Sequence, residues 1–164
     1  MPTATPVGRH AKAVELAEAG KYQEALEVIE QHLDEAPDDA EALNDAAVLL
    51  HCLDRSEMAV EYLERARQLS QDNPEIIWNL VEAHLAEAEA EQARPLFDLM
   101  EKAGILNIDV LNRAANVFLN QGHLEQALEM LQWSLRLEPR QEILKPMIEV
   151  IRHKMAAGSG QAGH

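Results

Sequence analysis

The residues that could carry out chemistry are few and scattered in this sequence. Cys52 is the only cysteine, and it directly follows His51. Neighbouring residues on a helix point about 100° apart, so this pair does not converge on one ligand. The chain has no Gly-rich phosphate loop, no HExxH sequence and no paired-cysteine metal motif. We therefore predict that the protein is not an enzyme and has no catalytic residue, cofactor or metal.

Asparagine side chains form a second chemical pattern. Asn112, Asn116 and Asn120 recur every four residues, which places them on one face of one helix. Asn44 and Asn79 extend the set into earlier repeats. Asparagine is a poor helix former, so its presence there needs a reason. Its amide offers a donor and an acceptor, which suits the alternating N–H and C=O groups of an extended peptide. The pattern indicates either a ladder that holds peptide backbone or a plain solvated face.

An internal repeat supplies the elements that position these side chains. Four 34-residue segments align without insertions: 6–39, 40–73, 74–107 and 108–141. Small residues recur where two helices would approach each other, with large apolar residues beside them. At the twentieth and twenty-fourth positions these residues are Ala25, Ala59, Ala93 and Ala127, then Ile29, Leu63, Phe97 and Leu131. Each segment is therefore predicted to fold as helix, turn, helix, turn.

This pattern resembles the tetratricopeptide repeat across about residues 6–141. The stretches GKYQEALEVIEQHLDEAPDDAEA and NQGHLEQALEMLQWSLRLEP match the second half of that repeat closely. The resemblance implies an all-α fold, a right-handed superhelical solenoid of antiparallel helix pairs. With one further helix at the C-terminus, about nine helices are expected. The first helices of the pairs would line a concave groove.

Several residues depart from the family pattern. Arg9 and Lys12 stand where the family has apolar residues, which predicts a short or frayed first helix. Pro95 lies inside the second helix of 74–107, which predicts a kink or a late helix start, with Gly104 ending that helix. The turn glycine of the fifteenth position, present as Gly20 and Gly122, is missing from the two middle repeats. His32 and His84 occupy core positions of the repeat and are predicted to be structural.

The two ends of the chain are predicted to differ from the repeats. Residues 1–5 are expected to be a disordered N-terminus, and 157–164 a flexible tail. Residues 142–156 are predicted to form a single capping helix that covers the open end of the last repeat. Its apolar stripe comprises Leu144, Met147, Ile148, Ile151 and Met155.

The resemblance also indicates which side chains face the groove: positions 2, 5, 6, 9, 12 and 13 of each first helix. The predicted binding residues are Asn44, Asp45, Val48, Trp78, Asn79, Glu82, Asn112, Arg113, Asn116 and Asn120. Trp78 is either a binding anchor or a packing residue between neighbouring first helices, and Arg113 could receive a ligand carboxylate. Trp133 is expected to pack near the capping helix or on the convex face. The family's carboxylate clamp for chaperone C-termini is absent, because its lysine positions hold no lysine.

Charge and composition limit the partners. The formal net charge is −15, and because phosphates are held by Lys and Arg this excludes nucleic acid and anionic membranes as partners. A basic protein or peptide is compatible with this charge, although acidity also serves solubility. No apolar run approaches the roughly 18–20 residues of a membrane span. The lone cysteine and the lack of an apolar signal region at the start predict a cytoplasmic protein.

The sequence thus predicts an adaptor or scaffold that binds a peptide or protein segment in its groove. Head-to-tail self-assembly is an alternative, because the two ends differ in charge. Residues 1–39 carry three basic and nine acidic side chains, whereas 142–164 carry three basic and two acidic ones. A non-catalytic accessory subunit of a bacterial enzyme or secretion system is the third possibility, and it depends on family analogy alone.

Overall fold

The computed structural model describes the backbone of residues 6–159 and the side chains of residues 8–157. The predicted disordered segment 1–5 lies outside the described residues, as do residues 160–164. The described range folds into nine helices and no strand. These helices are α1 (Pro6–Glu18), α2 (Tyr22–Glu35), α3 (Ala40–Cys52), α4 (Ser56–Leu69), α5 (Pro74–Ala86), α6 (Ala90–Lys102), α7 (Ile108–Asn120), α8 (Leu124–Leu137) and α9 (Leu144–Ser159).

The helices pair in the order of the chain. The first helices begin at residues 6, 40, 74 and 108, and each is joined to its partner by a three-residue turn. Such a short connection forces the two helices to run antiparallel. Each pair also packs on the next pair, and the alanines at the twentieth position are completely buried where the helices approach. The prediction of an all-α solenoid of antiparallel helix pairs is confirmed.

All four turns within the pairs use the same left-handed residue. The fifteenth position has a positive φ in Gly20 (74°), Asp54 (57°), Ala88 (58°) and Gly122 (80°). The following amide then bonds to the carbonyl five residues back, as from Glu89 to His84 at 2.7 Å. This hydrogen bond closes the end of the first helix. The middle repeats therefore adopt the glycine conformation without having glycine there.

Polar side chains begin the first helices of the second, third and fourth pairs. Asp39, Asn73 and Asn107 each accept a hydrogen bond from a backbone amide in the first turn of the following helix. This N-cap satisfies donors that have no partner within the helix. All three residues stand at the thirty-fourth position of their segments, so the cap repeats with the same period as the core.

The two histidines predicted to be structural are buried in the solenoid. His32 bonds to Asp39 and His84 bonds to Glu89, each with 2.8 Å between ring nitrogen and carboxylate oxygen. Burial acts to raise the pKa of Asp39, but hydrogen bonds from the Ala42 amide and the His32 ring outweigh it. Together with the charges of His32 and His10, they hold the pKa of Asp39 below its ordinary value of 3.8.

The predictions of a short first helix and of a late start of α6 were wrong, and the kink at Pro95 stays a prediction. The first helix is not short: α1 has 13 residues, as do α3, α5 and α7. Arg9 bonds to Glu35 at 2.7 Å and so pairs with the second helix of its own unit. The second helix of 74–107 does not start late, because Ala90 stands at the same repeat position as Ser56. Pro95 is exposed near the helix start, where it removes only the bond to the Glu91 carbonyl.

The C-terminal helix covers the last pair, although it is longer than predicted. In α9 the side chains of Leu144, Ile148 and Ile151 are buried against α8. The helix continues to Ser159, so the prediction of a flexible tail from residue 157 was wrong for 157–159. Trp133 does not depend on this cap: its ring packs edge-on against Phe97 of α6, and its Nε1 donates to Glu101 at 3.1 Å.

Candidate binding groove

The first helices form a face with two adjoining apolar depressions. The N-terminal hollow, of about 150 Å³, lies between α1 and α3 and is lined mainly by Ala13, Val14, Ala17, Ile29, Val48 and Leu49. The central hollow, of about 220 Å³, lies between α3 and α5 and is lined by Ala47, Val48, His51, Ala59, Leu63, Trp78, Asn79, Glu82 and Ala83. Val48 lines both hollows, so they form one continuous apolar surface.

Exposure of the apolar side chains indicates that this surface lacks a partner within the described part of the chain. Val14 is 41% exposed and Val48 is 39% exposed, although both lie on helices whose other faces are buried. Trp78 is half-buried, with its ring forming a wall of the central hollow. It therefore packs between neighbouring helices and also lines the open surface, and its role as a binding anchor stays a prediction.

A third, polar depression adjoins this apolar surface. The acidic hollow, of about 360 Å³, is lined by Ala40, Glu41, Asn44, Asp45, Asn73, Glu75 and Ile76 at the N-terminal ends of α3 and α5. Asp45 also lines the N-terminal hollow, and so connects the polar depression to the apolar ones. Three carboxylates thus converge beside the apolar surface.

Two asparagines of the predicted ladder bond to each other across the boundary between pairs. The Asn79 amide donates to Asn44 Oδ1 at 2.9 Å, and Asn44 Nδ2 donates to Glu75 at 3.1 Å. Asn44 is only 4% exposed. Both side chains therefore serve to join α3 to α5, and in this arrangement Asn44 does not present a free amide to a ligand.

The same connection occurs one pair earlier. His10 Nε2 lies 2.8 Å from Asp45 Oδ2, and the His10 ring is 5.5 Å from that of His32. In both cases the fifth position of one segment bonds to the sixth position of the next. Buried or half-buried polar pairs of this kind fix the registration of neighbouring elements, because leaving one partner unpaired is costly.

An ion pair joins the third and fourth helix pairs. Arg113 Nη1 donates to both oxygens of Glu82, at 2.8 and 2.9 Å. Arg113 was predicted to be available for a ligand carboxylate, but its guanidinium is already paired inside the groove. Arg113 thus balances the negative charge of Glu82, whereas no Lys or Arg among the described side chains pairs with Glu41 or Glu75 of the acidic hollow.

The last repeat contributes polar groups to the groove. Asn112 Nδ2 donates to Gln141 at 3.1 Å, and Gln141 also bonds to Ser134 at the end of α8. Asn116 and Asn120 are exposed on the same face of α7. Of the five predicted ladder asparagines, these two are the ones left open to a ligand.

The apolar surface extends beyond the predicted binding residues. Val14 and Ala17 line the N-terminal hollow, yet the first repeat contributed no residue to the predicted set. The signal was present in the ninth position, where Val14 and Val48 place an exposed apolar side chain on successive first helices. That position identifies the open surface better than the asparagines do.

The side chains that the structure describes include no group of three or more His, Cys, Asp or Glu residues that could hold a metal ion. His51, adjacent to Cys52, instead bonds through Nδ1 to the Ser56 hydroxyl at 2.8 Å. Within the same range, no helix is long and apolar enough to cross a membrane.

Comparison with known proteins relates the chain to helical-repeat proteins. The family model for the Psidin N-terminal TPR repeats region matches residues 3–103, which is more than half of the chain. No curated protein matches the sequence. Among solved structures, YrrB, described as a TPR protein with an unusual peptide-binding site, is similar with a TM-score of 0.73. It is 18% identical, over 87% of this chain and 74% of that one.

Structures of MamA are similar as well. One superimposes with a TM-score of 0.74 at 14% identity, covering 92% of this chain and 82% of that one. Another, MamA from AMB-1, gives a TM-score of 0.72 at 22% identity over 92% of this chain and 82% of that one. Identities this low establish the shared fold and nothing more specific.

Proposed function

This chain belongs to the tetratricopeptide-repeat family, and we propose that it is a non-catalytic adaptor that holds a segment of a partner protein in the groove formed by α1, α3 and α5. The observation that carries the proposal is the pair of apolar hollows that share Val48. An apolar surface that no part of the described chain covers is a typical site of protein interaction. The peptide-binding site named for YrrB agrees with this function.

The residues divide into two roles under this proposal. Val14, Val48 and Trp78 would supply the apolar contact, and Asn116 and Asn120 would bond to the continuation of the ligand along α7. The predicted residues Asn44, Asp45, Asn79, Glu82 and Arg113 would hold the groove in shape. One aromatic anchor, with a few net hydrogen bonds of about 0.5–1.5 kcal/mol each, supports binding in the micromolar range.

A matched pair of substitutions tests the groove. Val48→Asn places a neutral amide between the two hollows, whereas Met58→Asn makes the same kind of change at a residue of α4 that is 47% exposed and lines neither hollow. Proteins captured from the native cell by the immobilised chain are quantified for the wild type and both variants. We expect a partner retained by the wild type and by Met58→Asn but reduced at least about tenfold by Val48→Asn. Equal capture by all three contradicts the groove.

Self-association is a second candidate, supported by the outer face of α9. Val150 of α9 is 55% exposed, and Ile143, which directly precedes that helix, is 77% exposed. Head-to-tail stacking on the first repeat is disfavoured, because α1 presents Arg9 and Lys12 where later repeats bury apolar residues. Copies would therefore join through α9. Sedimentation over a range of concentrations tests this, and a concentration-independent monomer, or association unaltered by Val150→Asn, would exclude it.

A further inference from the structure

We infer that the segment held in the groove is basic, with two apolar side chains that fill the two hollows and Lys or Arg side chains that meet the acidic hollow. This inference rests on the proposed function and names the chemical class of its ligand. It depends on three features: the spacing of the hollows, the sign of the charge around them, and the pairing state of each charged group.

The spacing of the hollows suits one short segment. The N-terminal hollow lies between α1 and α3 and the central hollow between α3 and α5, so the two are one helix apart, which is about 8–10 Å for packed helices. Two apolar side chains of one peptide span that distance in either a helical or an extended conformation. Val48 lies between them and is the contact that both side chains share.

The charge around the hollows has one sign. The groove positions of α1, α3 and α5 contain no Lys or Arg, and their acidic residues are Glu18, Glu41, Asp45, Glu75 and Glu82. Arg9 and Lys12 of α1 do not offset these carboxylates, because they pair with Glu35 and Glu15 away from the hollows. The surrounding field therefore attracts a cationic ligand and repels an acidic one.

The pairing of each carboxylate shows where ligand cations would go. Glu82 is neutralised by Arg113, so the central hollow is left mainly apolar. Asp45 is hydrogen-bonded to His10. Glu75 accepts from the neutral amide of Asn44, and Glu41 is exposed beside it, and no Lys or Arg among the described side chains pairs with either of them. Glu18 is exposed at the edge of the N-terminal hollow. Ligand cations are thus expected near Glu41 and Glu75 on one side and near Glu18 on the other.

The test uses a library of random twelve-residue peptides displayed on phage and selected on the full chain. Peptides that bind the wild type and Met58→Asn but not Val48→Asn are the groove ligands. We expect them to be enriched in Lys and Arg and to carry two apolar residues. Binding of a synthetic copy should weaken at least about tenfold between about 0.1 M and about 0.5 M salt.

Two double variants, each lacking two carboxylates, show which carboxylates attract the basic peptide. Glu18→Gln combined with Glu41→Gln should weaken the basic peptide by about two- to tenfold. Glu57→Gln combined with Glu61→Gln removes the same charge from exposed positions of α4 and should leave binding unchanged. Equal losses in the two double variants would show only a general charge effect and would overturn the assignment to the groove.

The outcomes separate this inference from the proposed function. Groove ligands that prove neutral or acidic overturn the inference of a basic segment and leave groove binding intact. If no selected peptide depends on Val48, both are overturned. Basic peptides that depend on Val48 and on Glu18 and Glu41 support both.

Discussion

The left-handed turn residue of the third pair predicts a stabilising substitution. Ala88 has a φ of 58° and is exposed, and the turn it forms is closed by the 2.7 Å bond from Glu89 to His84. The left-handed conformation costs an L-residue about 1–2 kcal/mol. Glycine removes that cost but adds about 0.5–1 kcal/mol of unfolded-state entropy. Ala88→Gly should therefore stabilise the fold by about 0.5–1 kcal/mol, raising Tm by about 1–4 °C.

The reverse substitution, made at the equivalent turn of the fourth pair, tests the cost of the left-handed conformation in the opposite direction. Gly122 has a φ of 80°, and a Cβ added there would meet nothing within 4 Å, so Gly122→Ala changes the backbone term alone. It should destabilise the fold by about 0.5–1 kcal/mol.

A third variant provides the control for the assay. Ala103 is exposed at the end of α6 with a φ of −77°, where glycine brings only its entropic cost of about 0.5–1 kcal/mol. Urea unfolding followed by far-UV circular dichroism gives the midpoint and slope for each variant. If Ala88→Gly lowers the midpoint as Ala103→Gly does, the left-handed residue carries no strain and the reasoning is refuted.

Two further predictions concern the polar pairs. Asn44→Ala should cost about 1–3 kcal/mol in urea unfolding, because it leaves the amide of Asn79 unpaired, whereas Asn120→Ala on the open face should change stability by no more than about 0.5 kcal/mol. Asp39→Asn keeps an N-cap residue but loses the carboxylate beside His32. Since the pKa of Asp39 is lowered, its charge stabilises the fold above pH 3.8, and this contribution is lost as pH falls through the lowered value. The stability gap between wild type and Asp39→Asn should therefore close as the solution is acidified.

The fold could be predicted because its determinants repeat. Ala25 and Ile29, with their counterparts in the later segments, lie at fixed offsets in every unit, so one packing solution is specified four times over. Aspartate is among the non-glycine residues that adopt the left-handed conformation most often, but alanine disfavours it, so Ala88 could be anticipated there only from its alignment with Gly20. The position in the repeat therefore determined the backbone conformation of these turn residues more than their residue type did.

The errors in the fold prediction arose at single residues whose type departs from the repeat pattern. Pro95 suggests a broken helix by its own chemistry, yet it stands close enough to the start of α6 to remove a single hydrogen bond. Arg9 suggests a short helix, yet it pairs with Glu35 of α2, and α1 has the same 13 residues as the later first helices. In both cases the free-energy cost of the residue depended on its position in the folded solenoid. The neighbouring sequence alone does not give that position.

The site was predicted less completely than the fold, because sequence locates the face of a helix but not the partner of a side chain. Asn44 and Asn79 do lie on the groove side, as their positions indicate, but they stand close enough to bond to each other. Whether two side chains 35 residues apart meet depends on the rotation of one pair relative to the next. The repeat pattern alone does not give that rotation.

The contacts between pairs now indicate where a ligand can be recognised. The fifth and sixth positions are occupied in joining one pair to the next, through His10 with Asp45 and through Asn44 with Asn79. The ninth position lies further along the same face and is left open at Val14, Val48 and Asn116, while Glu82 is half-buried and paired with Arg113. A substitution at the fifth or sixth position should therefore act on binding through the shape of the solenoid. A substitution at Val14, Val48 or Asn116 should change affinity for a ligand without changing stability, and this separation of effects distinguishes the two roles.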